Sequence, residues 1–438
     1  MLTKQENERL TRVGPGTPMG RLLRQYWIPA LLSSELERDG RPMRVRLLGE
    51  DLVAFRDSAG NVGLLGELCP HRGASLYFGR NEECGLRCVY HGWKFNVGGA
   101  CVDMPNERPE TDFKDKIAHT SYRCEESGGV IWTYMGDADV PPGLPKFEWT
   151  IVPDSHRFVS KRYQDCNWVQ GLEGGVDSSH ISFLHTPLDV EDAAGWAEVV
   201  RATLKLRMKD KHPHFEVVDT DYGVMIGARR DADDEHYYWR ISQFLMPFYN
   251  MVPPGGKDPH CPGKFWVPID DENCMNWSVQ WHPSRPLRQD EIEEIRSGMG
   301  AHYVDYLPEV AKPYGNVLPV ANKHNDYLID WEKQRAKNFS GIRGVGLQDQ
   351  AVQESGGIIY DRSTEHLGSA DLAVLRTRRC LLQAERALRE SGATPPGCID
   401  PSVYMVRGMG LILPRDTAWV EGSKDTVVAR PGVNYVSV

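Results

Sequence analysis

Apolar and polar positions change their period several times along the chain, and each change predicts a different element. Residues 16–31 predict a short helix followed by a strand, and residues 43–68 predict strands interrupted by a turn-rich cluster at 57–61. An apolar run at 129–134 predicts a further strand. The Pro- and Gly-rich stretch at 141–145 then indicates a stiff linker.

The second half of the chain contains both the alternation typical of strands and the spacing of apolar residues typical of helices. Residues 201–209 alternate between apolar and polar side chains, which predicts a strand with one buried face. Leucines at helical spacing over 370–391, followed by Gly392, predict a helix with a glycine just beyond its end. Further strands are predicted at 224–229, 237–250 and 275–282.

These elements predict an α+β fold in which an all-β domain precedes a larger domain of antiparallel sheet and helices. We place a helical segment that packs on the larger domain at 1–26, the all-β domain at 27–140 and the larger domain at 141–438. A chain of 438 residues has room for two or three domains that each bury a core.

Composition narrows the class of function. The chain has 51 basic and 61 acidic residues and a net charge of −10, which argues against sequence-independent nucleic-acid binding. No apolar run reaches the roughly 18 residues of a membrane span, and the polar N-terminal stretch lacks the apolar core of a signal peptide. We therefore expect a cytoplasmic protein without a membrane partner, and of its ten cysteines we expect those that lie outside any metal site to be free thiols.

Two short loops contain the most specific chemical pattern. Cys69 and His71 form a C-x-H pair, and after sixteen intervening residues Cys88 and His91 form a C-x-x-H pair. Two thiolates and two imidazoles suit a [2Fe–2S] cluster in which two cysteines hold one iron and two histidines hold the other. The alternatives are structural zinc, whose sites usually group two cysteines in one loop and two histidines in another, or four unrelated core residues.

A second group of possible metal ligands follows. Asp177, His180 and His185 form a D-x₂-H-x₄-H pattern. On a helix Asp177 and His180 would share a face, and His185 would join them if the helix ended or bulged between the histidines. Two histidines and a carboxylate form the facial triad of non-haem Fe(II), whereas Asp177 is also well placed to orient a ligating histidine. The alternative is a solvated polar helix face.

With these motifs in place, the chain resembles the α subunits of the Rieske non-haem iron aromatic ring-hydroxylating oxygenases, in their phthalate 4,5-dioxygenase-like branch. The similar segments are 12–32, 68–95, 167–185 and 346–367. The resemblance implies a Rieske domain, a helix-grip catalytic domain, and one [2Fe–2S] cluster and one mononuclear Fe(II) per chain. It also implies a homotrimer or hexamer without a β subunit, and a separate flavin and iron–sulfur reductase.

The resemblance further implies roles for individual residues. The two Cys/His loops would hold the cluster, and His180, His185 and a downstream carboxylate would hold the mononuclear iron. We expect Asp349 to be that carboxylate. Asp177 would connect His180 to His91 of the partner subunit and make the trimer part of the mechanism. The alternatives to Asp349 are Asp361, Asp371 and Glu354.

The branch implies that O₂ and an aromatic carboxylate, a phthalate or a substituted benzoate, are the substrates of a cis-dihydroxylation. Arginine binds carboxylates through two parallel hydrogen bonds. Arg207 lies on the polar face of the predicted strand at 201–209, and Arg240 lies in an otherwise apolar strand. We expect both to bind the carboxylate, with Ser179 as a hydrogen-bond partner; a solvated strand face or an internal salt bridge is the alternative.

Two departures from the family pattern bear on this interpretation. Gly174 stands where many relatives carry an asparagine, so the side-chain amide of those relatives is missing here. Gly73 and Gly92 stand in the cluster loops where high-potential Rieske proteins place extra cysteines and a serine, which indicates the lower-potential oxygenase type of cluster domain. Two other functions stay open at this point. One is a monooxygenase or O-demethylase that acts on an aryl ether; the other is a non-enzymatic electron carrier or redox sensor with two irons.

Overall fold

The computed structural model describes residues 1–193, 201, 203–256, 258, 260–302, 305–308 and 317–434. The strands are β1 Trp27–Leu32, β2 Met43–Leu47, β3 Glu50–Arg56, β4 Val62–Gly66, β5 Arg80–Glu82, β6 Gly85–Arg87, β7 Lys94–Phe95, β8 Cys101–Asp103, β9 Ser121–Ser127, β10 Val130–Tyr134, β11 Arg157–Gln164, β12 His214–Thr220, β13 Gly223–Asp231, β14 His236–Leu245, β15 Tyr249–Met251, β16 Cys261–Pro268, β17 Cys274–Trp281 and β18 Met409–Pro414. The helices are α1 Lys4–Thr11, α2 Pro18–Leu23, α3 Glu148–Ile151, α4 Trp168–Val176, α5 Leu204–Lys209, α6 Gln289–Arg296, α7 Trp331–Ala336, α8 Val345–Ser355, α9 Leu372–Ser391 and α10 Trp419–Val427. Among the described helices, none combines the length and apolar character that crossing a membrane requires.

The first part of the chain is built from strands. A six-stranded antiparallel sheet has the order β1-β10-β9-β4-β3-β2, and a four-stranded sheet has the order β5-β6-β7-β8. The two Cys/His loops leave this structure between β4 and β5 and between β6 and β7. The all-β character predicted for this part is confirmed.

The second part is an antiparallel sheet covered by helices, as predicted. Its strands run in the order β11-β17-β16-β15-β14-β13-β12, and β18 adds to β14. Helix α4 packs on β16, and the long helix α9 packs on β12 and β13. The predicted helix at 370–391 is confirmed as α9, and Gly392 ends it with a φ of 67°, a conformation that glycine adopts without strain. The strands predicted at 224–229, 237–250 and 275–282 are also confirmed.

The prediction of a strand at 201–209 is wrong. Ala202 lies outside the described residues, and 204–209 form helix α5. Leu204 and Arg207, three residues apart, are the buried positions of this helix, as expected for one helical face. Alternation over so short a stretch does not exclude a helix, and Leu, Lys, Arg and Met all favour helices.

One hydrophobic core runs through both parts of the chain. Trp132 of β10 lies 6.1 Å from Phe147, measured between ring centroids, and Phe147 lies 4.9 Å from Tyr249 of β15. The same cluster of buried residues includes Leu23 of α2 and Trp168 of α4. The six-stranded sheet and the sheet that holds the second site are therefore packed against shared side chains, whereas Cys69 and Cys88 lie in a separate cluster of buried residues with Leu86 and Phe95.

The N-terminal helix lies beside the start of α4. The side-chain amide of Asn7 donates a hydrogen bond to the carbonyl oxygen of Tyr360 at 2.9 Å. Asn167, which caps α4 by accepting the Val169 N–H, donates to the carbonyl oxygen of Thr11 at 3.0 Å. These bonds fix the entry of α4, the helix that leads into the second site.

Gly171 lets α4 approach the sheet closely, which generates a stability prediction. A Cβ atom at Gly171 would lie 2.1 Å from Trp266 Cδ1, inside a packed indole, whereas a Cβ at Gly174 would meet only the movable amide tip of Gln353 at 2.3 Å. We expect Gly171→Ala to lower the free energy of unfolding by about 1–3 kcal/mol through overpacking.

Gly174→Ala is the matched control on the same helix, and we expect it to change the free energy of unfolding by less than about 1 kcal/mol because alanine also favours the helix. Urea unfolding followed by tryptophan fluorescence measures both variants. Equal stability of Gly171→Ala and the wild-type protein would contradict the close packing of α4 on Trp266.

Candidate metal centres and active-site cavity

The two Cys/His loops share one backbone geometry. In the first loop the Cys69 N–H donates to the Ala74 carbonyl at 2.8 Å, and the Gly73 N–H donates back to the Cys69 carbonyl at 2.9 Å. Gly73 and Gly92 have φ angles of 74° and 81°, so each loop needs a glycine at its tip. The same two bonds recur in the second loop, at 2.8 Å for Cys88 with Trp93 and 3.0 Å for Gly92 with Cys88.

This geometry brings the four predicted cluster ligands together. Cys69 and Cys88 are buried and form no disulfide, and the centroids of the His71 and His91 rings lie 4.4 Å apart. His71 stacks on Trp93, and its Nδ1 is buried without a hydrogen-bond partner among the described residues. Burial raises the pKa of the Cys69 thiol to about 11, and the neighbouring Cys88 adds to this. A metal cation would both hold these thiols as thiolates and use the free imidazole nitrogen, so the donor set fits an iron–sulfur cluster.

The tips of the loops present apolar side chains to solvent. Leu68 is 58% exposed, Val89 is 58% exposed and Tyr90 is 54% exposed. Three exposed apolar side chains beside two half-buried imidazoles are typical of a protein contact surface.

The second predicted site begins where α4 ends. Asp177 is the first residue beyond the helix, and its carboxylate accepts the Ser179 N–H at 2.6 Å and the His180 N–H at 3.2 Å. Helix α4 ends at Val176, before Asp177, and His180 opens a separate short 3₁₀ turn, so the helix does not continue to a break between the two histidines as predicted. Asp177 and His180 do not share a helix face; instead the His180 Nδ1–H donates to Asp177 Oδ2 at 3.0 Å.

His180, His185 and Asp349 meet at one point. Asp349 Oδ1 lies 2.9 Å from His185 Nε2 and 3.5 Å from His180 Nε2, and the possible ligand atoms of the three residues lie within 4.8 Å of one another. The other ring nitrogen of His185 donates to Gln348 Oε1 at 2.7 Å, which fixes the ring so that its Nε2 faces Asp349. Two imidazoles and one carboxylate, with their lone pairs convergent, form a set that suits Fe(II).

The electrostatics of this group favour a bound cation. Burial would raise the pKa of Asp349, but Lys264 and His185 hold it well below its usual value, so the carboxylate is ionised. Burial likewise lowers the pKa of His180, but hydrogen bonds to Asp177 and Asp349 outweigh burial and raise it to about 9. The position between these groups therefore attracts positive charge, and a divalent metal would take the place of the proton.

The other candidate carboxylates lie elsewhere. Asp361 is exposed and caps a 3₁₀ turn by accepting the Ser363 N–H. Asp371 accepts the Gly368 N–H just before α9. Glu354 is buried, but it is engaged by Tyr327, Gln350 and the Asp165 N–H. Only Asp349 of the four faces the two histidines among the described residues.

A cavity of about 110 Å³ opens beside the three donors. Its lining includes three basic side chains, those of Arg207, Arg240 and Lys264. Ser178 lines it and Ser179 does not. Arg240 donates from Nε to Ser178 Oγ at 3.2 Å, and no carboxylate in the described part of the chain pairs with this guanidinium.

Two arginines support the segment that carries the histidines. Arg207 of α5 donates to the carbonyl oxygens of Ile181 and His185, at 2.9 and 3.4 Å. Arg230 of β13 donates to the Ser178 carbonyl at 2.6 Å. Burial and the neighbouring Arg240 lower the pKa of Arg207 to about 9 and that of Arg230 to about 10. This crowding of positive charge stabilises an anion placed in the cavity.

Four residues of this site were not predicted from the sequence: Gln348, Lys264, Arg230 and Ser178. Lys264 is the one with a usable signal, because it is a single lysine in the apolar segment that forms β16. Gln348 and Ser178 are neighbours of predicted residues in the sequence. Their hydrogen bonds to a histidine ring and to a guanidinium cannot be predicted from residue type or spacing.

Two family models match the chain. The Rieske [2Fe–2S] domain matches residues 26–122, and the LigXa C-terminal domain-like family matches residues 133–433. Together they cover both metal-binding groups described above.

Curated relatives match over nearly the whole chain. The 3-chlorobenzoate-3,4-dioxygenase oxygenase subunit of Comamonas testosteroni is 41% identical over 96% of this chain and 97% of its own length. The phthalate 4,5-dioxygenase oxygenase subunit of Pseudomonas putida is 36% identical over 100% and 98%. The 5,5'-dehydrodivanillate O-demethylase oxygenase subunit of Sphingobium sp. (strain NBRC 103272 / SYK-6) is 33% identical over 92% and 85%.

A solved structure shares the fold. Dicamba monooxygenase bound to 3,6-dichlorosalicylic acid superposes with a TM-score of 0.58 at 18% identity, over 84% of this chain and 99% of that chain. At this identity the similarity concerns the fold alone.

The hydrogen bond between Gln348 and His185 generates a prediction on metal affinity. We expect Gln348→Leu to weaken Fe(II) binding at the mononuclear site by about 10- to 100-fold, because the imidazole loses the acceptor that fixes its orientation. Anaerobic Fe(II) titration of protein with an intact cluster measures this affinity.

Gln353→Leu is the matched control. Gln353 lies on the same helix α8, but its side chain accepts from Gln164 at 2.7 Å and not from a histidine. We expect this variant to bind Fe(II) as the wild-type protein does. Unchanged affinity in Gln348→Leu would show that Gln348 does not orient His185.

Proposed function

We propose that this chain, which belongs to the Rieske non-haem iron aromatic ring-hydroxylating oxygenases as an α subunit, cis-dihydroxylates an aromatic carboxylate such as a phthalate or a substituted benzoate. The chain is the oxygenase component, and its cofactors are one Rieske [2Fe–2S] cluster and one mononuclear iron. The observation that carries the proposal is the placement of Arg207 and Arg240 in the cavity that also contains His180, His185 and Asp349.

The ligand assignment follows the geometry. Cys69, His71, Cys88 and His91 would hold the cluster, and His180, His185 and Asp349 would hold the mononuclear iron. When bound, the cluster supplies single electrons and the iron activates O₂. The protein contributes orientation of the ligands, a substrate position beside the iron and exclusion of bulk water.

The cavity supports an anionic substrate with a single ring. Among the residues that the structure describes, the guanidinium of Arg240 makes one hydrogen bond, to Ser178, so its remaining N–H groups are available for a carboxylate. An engineered cavity of about 150 Å³ holds benzene, so a cavity of about 110 Å³ is too small for several fused rings, and a benzoate would require its lining side chains to move. Ser178, rather than Ser179, is the hydroxyl on the cavity side that we expect to assist Arg240.

Asp177 is our candidate for the residue that connects the iron site of one protomer to the cluster of its partner. Its carboxylate holds His180, and the exposed apolar tip of the cluster loops offers a surface for a second chain. We propose a trimer, or a hexamer of two trimers, in which His91 of the partner subunit reaches Asp177. A flavin and iron–sulfur reductase would supply the electrons.

Product analysis tests the proposed reaction. We expect O₂ uptake with benzoates and phthalates in the presence of an aromatic-ring reductase, and a cis-diol that carries both atoms of ¹⁸O₂.

The 33% identity to an O-demethylase oxygenase subunit favours, as a second candidate, demethylation of an aryl ether. Formaldehyde release would establish demethylation. Iron analysis that gives two irons per chain instead of three would indicate the non-enzymatic electron carrier or redox sensor.

Arg240 generates a prediction on substrate affinity. We expect Arg240→Met to raise the KM for the aromatic carboxylate by about 10- to 100-fold, the cost of losing hydrogen bonds to a charged group. Arg240 is a cleaner probe than Arg207, because Arg207 also holds the segment that carries the histidines. Steady-state O₂ uptake measures the KM.

Arg229→Met is the control for loss of a strand arginine, because Arg229 stacks on Tyr237 and is not among the residues that line the cavity. We expect its KM to equal that of the wild-type protein. If Arg240→Met has the same KM for the carboxylate as the wild-type protein, Arg240 does not bind the substrate.

Asp177 generates a prediction on turnover. We expect Asp177→Asn to retain all its iron and yet lower turnover by about 10- to 100-fold, since an amide cannot replace the charge that holds and connects the histidines. Metal analysis, the EPR spectrum of the reduced cluster and O₂ uptake separate these effects. Asp361→Asn, at an exposed turn, is the control, and wild-type turnover in Asp177→Asn would disprove the connection.

A further inference from the structure

Lys264 is a buried cation whose position neither the cluster nor the substrate explains. It lies on β16 between β15 and β17, opposite Asn250 and Ser278, and is 7% exposed. Its Nζ lies 2.8 Å from Asp349 Oδ2. Among the described residues this is the one carboxylate that pairs with Lys264.

The two oxygens of Asp349 have different partners. Oδ1 faces the Nε2 atoms of His185 and His180, at 2.9 and 3.5 Å, whereas Oδ2 points to Lys264. A carboxylate can bind a metal through one oxygen or through both, and the second mode uses one more coordination position. An ion pair on Oδ2 opposes the second mode, because the ammonium hydrogen-bonds the oxygen that would have to turn toward the metal.

Both ends of this ion pair are rigid. Lys264 belongs to an interior strand of the large sheet, and Asp349 lies in the first half of α8, next to Gln348 and its bond to His185. Taking two charges out of water is costly, and a buried pair of this kind contributes little net stability. A role in fixing geometry accounts for its presence better than a role in stability does.

We propose that Lys264 is a positioning residue that holds Asp349 Oδ2 and restricts Asp349 to binding the mononuclear iron through Oδ1 alone. This proposal rests on the iron site proposed above. Its consequence is one additional coordination position on the iron for exchangeable ligands, on the side of the cavity that Lys264 lines.

The experiment compares four proteins: the wild type, Lys264→Met, Lys264→Arg and Lys161→Met. Lys161→Met is the control, because Lys161 is another buried lysine of the same sheet, and it pairs with Glu35 at 2.5 Å instead of with a candidate ligand. Each protein, with its cluster intact, is loaded with Fe(II), and near-infrared magnetic circular dichroism reports the coordination number of that iron. We expect Lys264→Met to show a coordination number higher by one, and Lys264→Arg and Lys161→Met to give the wild-type spectrum.

A crystal structure of the Co(II)-loaded wild-type protein keeps the proposal testable if Lys264→Met does not fold. One Asp349 oxygen on the metal and the other on Lys264 is the expected result, and two oxygens on the metal would overturn the proposal. An unchanged spectrum in folded Lys264→Met would also overturn it, even if the KM for the carboxylate rose, because Lys264 would then serve the substrate. Absence of metal bound between His180, His185 and Asp349 in the wild-type protein would instead overturn the proposed iron site.

Discussion

The carboxylate of Asp349 joins three separate stretches of the chain, and the arrangement of the candidate iron site depends on it. One oxygen faces two histidines that follow α4, and the other meets a lysine in the middle of the large sheet. A buried carboxylate is stable only where positive charge or hydrogen-bond donors surround it, so α8, β16 and the turn after α4 must approach one another. The negative charge thus organises the site before any metal is considered.

Positive charge in turn organises the cavity wall. Three arginines, Arg207, Arg230 and Arg240, direct hydrogen bonds at the segment 178–185, and none of these bonds is to a carboxylate. Buried guanidinium groups that repel one another are costly unless an anion is close. Under the proposed function, the residues that hold the histidine segment in place would also favour a negatively charged substrate.

The sequence allowed prediction where metal ligation requires a fixed spacing of nearby residues. It did not allow prediction where contacts join residues that are far apart along the chain. Cys69, His71, Cys88 and His91 could be named as candidate ligands because two loops of one geometry need a glycine after each Cys/His pair. Asp349 could be named as a candidate only through resemblance, since it lies 164 positions after His185. The helix α5 was predicted as a strand because its apolar face is defined by tertiary packing, and Lys264 was overlooked because a lysine shows its partner only after folding. The domain boundaries stay a prediction.

The shared core that includes Trp132, Phe147 and Tyr249 limits how this chain can move. Close-packed aromatic side chains do not slide past one another continuously, so this core provides no hinge between the six-stranded sheet and the cavity-bearing sheet, whereas the loops with Cys69 and Cys88 lie in a separate hydrophobic cluster. Any movement of these loops relative to the cavity therefore has to take place at the boundary between the two clusters.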